Sequence, residues 1–428
     1  MTVRTSIVLR SSIALAALAS SAATQAGVLH ILGAGSQSTS FASDVSADGS
    51  VVVGFDDQSY WYWTLDTWVV QLLGQTIPPG NGVGGMANIT DDGTRMTVSR
   101  LADIGGLLKA ESHFYDITLM EYTSLGSWGF NCDAERNGAW GMSPDGNTVV
   151  GLGWQNGCAA KGYVWTASSG VMTELPTAYF FKPTRANAVS ANGSVVVGWN
   201  DDYNGFRQGA VWTNGVETLL TAPPATGTTT PRKLREAGAV SRNGVWAGGL
   251  GKTSIDGGAP WRWSVATGYE SLGQTGSGAA DGVTAINADG TKILCFTGFG
   301  AAMGEGVIWI QGRGYVPLEE YAAEHGVDVP ADVHLALPLA FSADEQTIVG
   351  SARGPWGFGP FVLDLHGGTP PCPGDLNGDH LVDGLDMTVV LSGWGACGTG
   401  TCSGDINGDL VVDGLDMTVV LSGWGSCP

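Results

Sequence analysis

Between residues 42 and 350 one arrangement of apolar and polar positions returns seven times: a short apolar run, an Asp-Gly or Asn-Gly pair, and a second apolar run. The copies are ASDVSADGSVVVG (42–54), ANITDDGTRMTVS (87–99), AWGMSPDGNTVVG (139–151), ANAVSANGSVVVG (186–198), AGAVSRNGVWAGG (237–249), VTAINADGTKILC (283–295) and LAFSADEQTIVG (339–350). Asx-Gly between apolar runs predicts a tight hairpin, because the turn needs positive φ at positions where Gly and Asx tolerate it. The turn glycines are Gly49, Gly93, Gly146, Gly193, Gly244 and Gly290, with Glu345 in the seventh slot, so the period is 44 to 55 residues. A period of that size with several short strands per unit predicts propeller blades rather than a helical solenoid.

A third strand carries an aromatic marker. Trp165, Trp212, Trp263 and Trp309 each follow their turn glycine by 19 residues, and Trp63, Phe114 and Phe361 are expected to fill the same place in the other units. A fourth strand follows, as in GVMTEL from Gly170 and GVETLL from Gly215, but the seventh unit ends at FVLDL (361–365) without one. VLHIL at 28–32 has the fourth-strand pattern and is expected to complete that blade, closing the ring and removing its exposed sheet edges. These phrases resemble the HAF repeats of bacterial extracellular proteins over about 340 residues, and that family has no settled activity to carry over.

The tail changes character. DLNGD and DINGD open two loops 30 residues apart, each running into the same string, VDGLDMTVVLSGWG. Counting Asp375 as position 1, oxygen donors fall at 1, 3, 5, 9 and 12 as Asp375, Asn377, Asp379, Asp383 and Asp386, with the Leu381 carbonyl at 7. The second copy repeats them as Asp405, Asn407, Asp409, Asp413 and Asp416, with the Val411 carbonyl. Ca²⁺ takes six to eight hard oxygens, and this spacing wraps them around one point as in an EF-hand, so two Ca²⁺ ions are expected. A pair of merely acidic, Gly-rich surface turns would have no reason to repeat that spacing twice. About ten helix-compatible residues follow each loop (386–395 and 416–425), and no helical pattern precedes either.

A duplicated half-hand of this kind resembles a type I dockerin, and the flanking cysteines with the WG-x-C ending resemble its GC-type subset. The resemblance implies a cohesin-like or other cell-surface anchor protein as partner. Two departures stand out: His380 and Leu410 occupy position 6, where glycine is usual. A bulky residue in a left-handed conformation costs about 1–2 kcal/mol, so calcium affinity should fall below the family norm.

The expected fold is therefore mainly β: a seven-bladed β-propeller (27–367), a linker (368–373) and a small α, duplicated EF-hand-like calcium module (374–428). Residues 1–26, with Arg4, Arg10, an apolar stretch and small residues ending at Ala26, read as a signal peptide. No later stretch is apolar for long enough to span a bilayer, and the chain is expected to be secreted. A formal charge of −21 makes nucleic acid and anionic membranes poor partners.

Seven cysteines in an exported chain imply disulfides with one thiol left over. Cys132 and Cys158 flank the Asp145-Gly146 turn almost symmetrically and are expected to be bridged. The dockerin resemblance favours Cys372–Cys427 with Cys397–Cys402, and the within-unit pairing, Cys372–Cys397 with Cys402–Cys427, stays open. Cys295 sits in an apolar strand and reads as a buried free thiol.

Long loops at 100–112, 179–186, 198–208, 221–237 and 319–337 should gather on one propeller face. They bring Trp154, Trp199, Tyr203, Phe206, Trp356 and Phe358, which makes a carbohydrate or peptide site there an expectation to set against plain inter-blade packing. The recurring Asx residues are assigned to turn chemistry rather than to a ring of ligands. His30, His113, His325, His334, His366 and His380 show no metal-ligand spacing, and no nucleophile-elbow motif lies within the repeats. Two functions compete: a secreted, non-catalytic binding or display protein anchored by its tail, and an extracellular polysaccharide-degrading hydrolase or lyase, whose two carboxylates need not be neighbours in sequence. The first is preferred, since no catalytic motif stands out.

Overall fold

The seven phrases fold as hairpins, six of them joining the first two strands of one antiparallel sheet and the second joining an isolated bridge to its sheet. The computed structural model describes residues 27–32, 40–57, 59–73, 85–104, 106–130, 132, 135–252, 254–275, 281–298, 304–366, 374–376, 381–397, 402, 404–406 and 411–426. The expected signal segment and linker lie outside these. The sheets are the seven blades of a β-propeller. Blade 1 runs from Phe41–Val45 to Val70–Leu73, blade 3 from Asn137–Met142 to Met172–Glu174, and blade 4 from Thr184–Val189 to Val216–Leu219. Blade 5 runs from Ala237–Val240 to Gly268–Ser271, and blade 6 from Gly282–Ile286 to Gly314–Pro317.

Blade 2 is built differently. Its sheet holds Arg95–Ile104, Leu107–Asp116 and Glu121–Ser124, and the expected first strand is reduced to a bridge between Ile89 and Met96. The Thr97 side chain explains this: its hydroxyl accepts the Asn88 N–H at 3.0 Å and donates to the Met86 carbonyl at 3.1 Å, standing in for ladder bonds. The expected long loop at 100–112 is instead the end of a paired hairpin, in register from Arg95↔Asp116 to Ile104↔Leu107.

Closure is circular. Val28–Ile31 pairs antiparallel with Gly357–Asp364 as the outermost strand of blade 7, from Val28↔Asp364 to Ile31↔Phe361. At the hairpin end, backbone bonds run from blade to blade: Ala343 N–H to Ala47 O, Ala47 N–H to Asp91 O and Asp91 N–H to Pro144 O. Each blade interface holds its own buried apolar cluster, including the one between blades 7 and 1 built on Ala340, Val349, Val362, Val52 and Trp63.

The turn assignment of the Asx residues holds. Asp48 Oδ1 accepts the Ser46 hydroxyl at 2.8 Å and the Ser50 N–H at 3.0 Å, and Val51 N–H donates to Ser46 Oγ. Asp92, Asp145, Asn192, Asn243, Asp289 and Asp344 each accept the backbone N–H two residues on in the same way. The Thr90 hydroxyl and the Thr94 N–H together hold Asp92 below the usual carboxylate range, against the opposing effect of partial burial.

The aromatic marker needs a correction. Trp63, Trp165, Trp212, Trp263 and Trp309 all stand opposite the third residue after the turn. In blades 2 and 7 that slot belongs to Tyr115 and Leu363, with Phe114 one position away and Phe361 two. A one-residue offset moves a strand side chain to the other sheet face, and Phe114 accordingly packs edge-on against Trp165 of blade 3 at 5.5 Å.

In the tail, helices α1 (Gly384–Ser392) and α2 (Gly414–Ser422) begin two residues before the expected starts and end earlier. The starts move because Asp383 and Asp413 act as N-caps, their side chains accepting the Leu385 and Leu415 N–H groups at 2.7 Å. The halves interlock: Leu381–Val382 pairs with Gly425–Ser426, and Gly395–Ala396 with Val411–Val412. Adding 30 to one partner and subtracting 30 from the other converts the first pairing into the second, so the halves are related by a pseudo-twofold. Val382, Val390, Val412 and Val420 are fully buried between them.

The Cys132–Cys158 and Cys397–Cys402 disulfides are both formed, and Cys295 is a buried free thiol. The within-unit tail pairing is thereby excluded. Cys372 and Cys427 lie outside the described residues.

Candidate functional site

Each tail loop is organised from its last carboxylate. Asp386 is fully buried, with Oδ1 accepting the Leu376 N–H at 2.7 Å and Oδ2 the Asp383 N–H at 2.8 Å. One side chain thus ties the start of the loop to the start of its helix. Asp416 repeats this with Ile406 and Asp413 at the same distances. Asp375, Leu381, Asp383 and Asp386 are described in the first loop and Asp405, Val411, Asp413 and Asp416 in the second, while Asn377, Asp379, Asn407 and Asp409 lie outside the described residues. So do His380 and Leu410.

The donor set fits a hard cation. Each loop contributes four carboxylates, and no Lys or Arg occurs anywhere from 368 to 428 to balance them. Four carboxylates gathered in one loop repel one another, and an oxygen-seeking divalent ion would supply the compensating positive charge. The residues that could hold it are the six sequence-predicted donors of each loop.

Around the tail the apolar residues divide. The valine quartet is buried, whereas Leu385, Leu391 and Trp394, with their copies Leu415, Leu421 and Trp424, are exposed. The helices are too short to bury both faces.

The propeller offers a second locale, which sequence reasoning missed. A cavity of about 570 Å³ runs along the ring axis, lined by the first strands of the blades. Each of these strands in blades 1, 3, 4, 5, 6 and 7 has a register shift beside the channel, such as Ala42/Asp44 and Ala186/Ala188. The bulged residue falls at one place in each of these phrases, as Ser43, Trp140, Asn187, Gly238, Thr284 and Leu339, so its side-chain type varies from blade to blade. At the hairpin end Arg242 of blade 5 reaches Asp91 of blade 2 at 2.5 Å. At the other end Arg185 lies 3.9 Å from the Trp140 ring centre and 5.6 Å from that of Trp199, and its Nε donates to Asn187 Oδ1. Asp44 lies in the channel wall. Loss of bulk water pushes its carboxyl up to about 6, although it accepts the Ile89 and Val45 N–H groups.

The expected aromatic face is mixed. Trp199 is buried between Arg185 and Arg207 and is packing, as are the half-buried Trp154, Trp356 and Phe358. Tyr203 and Phe206 are exposed, and Phe180 and Phe181, which the sequence analysis did not single out, join them. A different group, Glu305, Glu319 and His334, brings its ligand atoms close enough for a metal, but Arg353 already pairs with Glu305 and the Leu335 N–H with Glu319. Among the described residues no helix is long and apolar enough to cross a membrane.

No protein-family model and no curated protein matches the chain. Among solved structures, the β-propeller domain of the Trilobed protease from Pyrococcus furiosus, described as having an open velcro topology, is similar with a TM-score of 0.50 at 11% identity, covering 76% of this chain and 95% of that one. A chain of the mitotic checkpoint complex matches with a TM-score of 0.46 at 14% identity, over 85% of this chain and 98% of that one. At such identities the likeness speaks for the fold alone: a seven-bladed β-propeller, here closed by its N-terminal strand.

Proposed function

We propose that the chain is a secreted, non-catalytic display protein, whose propeller is anchored to a cohesin-like or cell-surface protein by a calcium-dependent, dockerin-like tail. The observation that carries this reading is the exposed set Leu385, Leu391 and Trp394, repeated by pseudo-twofold as Leu415, Leu421 and Trp424. Exposed apolar groups on a small module whose core is already filled by four valines mark a docking surface.

Ca²⁺, when bound, supplies the positive charge that lets four carboxylates share one loop. The chain's own residues do the rest. Asp386 and Asp416 fix loop to helix, Asp383 and Asp413 cap the helices, and the cross-paired strands hold the two helices in their symmetric relation. Since the two helical faces have the same sequence, a receptor can meet either one.

The test is capture from the source organism's envelope by the full-length protein. Retention of a protein in Ca²⁺ and its release by chelator are expected. Substituting Asp375 with Asp379 should impair one half and Asp405 with Asp409 the other, both being needed to abolish capture. Capture that is unaffected by chelator and by all four substitutions would contradict the reading.

A further inference from the structure

Two neighbouring loops on the face opposite the Asx-Gly hairpins hold Phe180, Phe181, Tyr203 and Phe206 in water, 55 to 76% exposed. Phe180 and Phe181 meet edge to face at 5.4 Å, and Phe181 and Tyr203 at 6.4 Å. The loops that carry these rings are held from beneath by buried charged groups. The nearly buried Lys161 ammonium binds the Phe180 carbonyl and, at 3.2 Å, the Lys182 carbonyl. Beneath the other loop, Asp202 is 3% exposed and accepts the Asn204 and Phe206 N–H groups at 2.8 and 3.0 Å, while Lys233 Nζ meets its second oxygen at 2.6 Å. The rings are therefore presented rather than left over.

From this geometry we infer that the Phe180–Phe181–Tyr203–Phe206 platform binds a soluble, neutral polysaccharide chain. Sugar rings offer an apolar C–H face to stack and polar edges to hydrogen-bond, and the platform has both kinds of partner. Lys182 lies 5.7 Å from the Phe181 ring centre, and the half-exposed Arg207 stands opposite Asp201 at the base of the Tyr203 turn. The charges around the rings are matched: Arg207 with Glu236 at 3.0 Å, and Asp202 with Lys233. With Lys182 balanced by Asp201 as well, neither sign of charge dominates the platform to select an anionic or cationic ligand. Adjacent rings stand at 88 to 90° to each other, so a flat crystalline polymer would touch only one facet, whereas a single chain can turn between them. The exposed large apolar residues of the two loops are all aromatic, which favours sugar over a peptide with aliphatic anchors.

Native affinity electrophoresis of the full-length protein in gels containing xyloglucan, mixed-linkage β-glucan or galactomannan tests this, with polygalacturonate gels and insoluble cellulose pull-down alongside. Retardation by at least one neutral soluble polymer is expected, unchanged by chelator, which separates this site from the tail. Phe181→Ala and Tyr203→Ala should each weaken retardation at least tenfold while leaving the melting temperature unchanged, and Leu108→Ala on the blade 2 hairpin should leave retardation intact. No retardation by any neutral polymer, retardation that survives both aromatic substitutions, preference for polygalacturonate or cellulose, or displacement of the sugar by a peptide mixture would overturn the inference.

Discussion

Glu345 stands where six blades have the turn glycine, with a left-handed φ of 62°, and its carboxylate meets Lys292 Nζ of blade 6 at 3.0 Å. It also accepts from Asn287 Nδ2 at 2.9 Å. In the other blades this slot is crowded as well as left-handed: a Cβ on Gly49 would lie 2.2 Å from Thr347 Oγ1 and one on Gly244 3.0 Å from Val195. Blade 7 accepts a side chain because it is bonded to the neighbouring blade instead of clashing with it.

The stability order at position 345 should follow from that balance. Glu345→Ala keeps a Cβ in the left-handed region, costing about 1–2 kcal/mol, and loses the ion pair. Glu345→Gly loses the pair but relieves the backbone. Denaturant melts should place the Gly variant within about 1 kcal/mol of the parent and the Ala variant clearly below both. An Ala variant as stable as the parent would show that the pairing across blades 6 and 7 is incidental, and one as stable as the Gly variant that the left-handed backbone carries no strain.

Removal of residues 28–32 should leave Gly357–Asp364 as an open edge between blade 7 and solvent. Calorimetry is expected to show a broadened, less cooperative transition, with aggregation on heating. A truncated chain melting like the parent would contradict circular closure as the source of cooperativity.

Asp44 should leave a pH signature. Its folded carboxyl is raised to about 6 by burial, with Asp91 adding to the rise and backbone N–H groups and Arg242 opposing it. The folded state therefore holds this proton more tightly than the unfolded chain does. The resulting stability is full below about pH 4 and is lost as pH rises through about 6. Relative to Asp44→Asn, the parent should lose up to about 3 kcal/mol between pH 3.5 and 7, since two pH units at roughly 1.4 kcal/mol each are involved. Paired melts at those two pH values measure it, and a constant difference would mean that Asp44 ionises normally.

Much of this architecture was legible because its grammar is local. Asx-Gly turns, the 19-residue step to tryptophan and the missing fourth strand are all properties of consecutive residues, and they sufficed to place the closing strand at 28–31. The repeated spacing of the tail carboxylates is local in the same sense. What could not be read depends on register and on contacts between distant segments. Phe114 and Tyr115 differ by one position, and only the pairing with Met96 and Thr97 decides which takes the tryptophan slot. The channel needed five blades to place Arg242 against Asp91, 151 residues away. Phe180 and Phe181 were overlooked because the loop that carries them is held by Lys161, which nothing in the sequence marks as its support.

The tail strands should separate if its core fails. Val390→Ala removes two methyl groups from a quartet buried between α1 and α2, and a loss of about 2–3 kcal/mol in the tail's own transition is expected. Because the quartet is shared, calcium binding at both loops should weaken together. Weakening confined to the first loop would show that the halves fold independently.

The anchoring role proposed for the tail depends most directly on the metal. Titration calorimetry of the full-length protein with Ca²⁺, after chelation and desalting, should give about two ions per chain in the parent. Asp375→Ala with Asp386→Ala should leave about one, as should Asp405→Ala with Asp416→Ala, and the four together none. A parent that takes up no calcium, or a stoichiometry unmoved by these substitutions, would contradict the calcium-built tail and the anchoring role that rests on it.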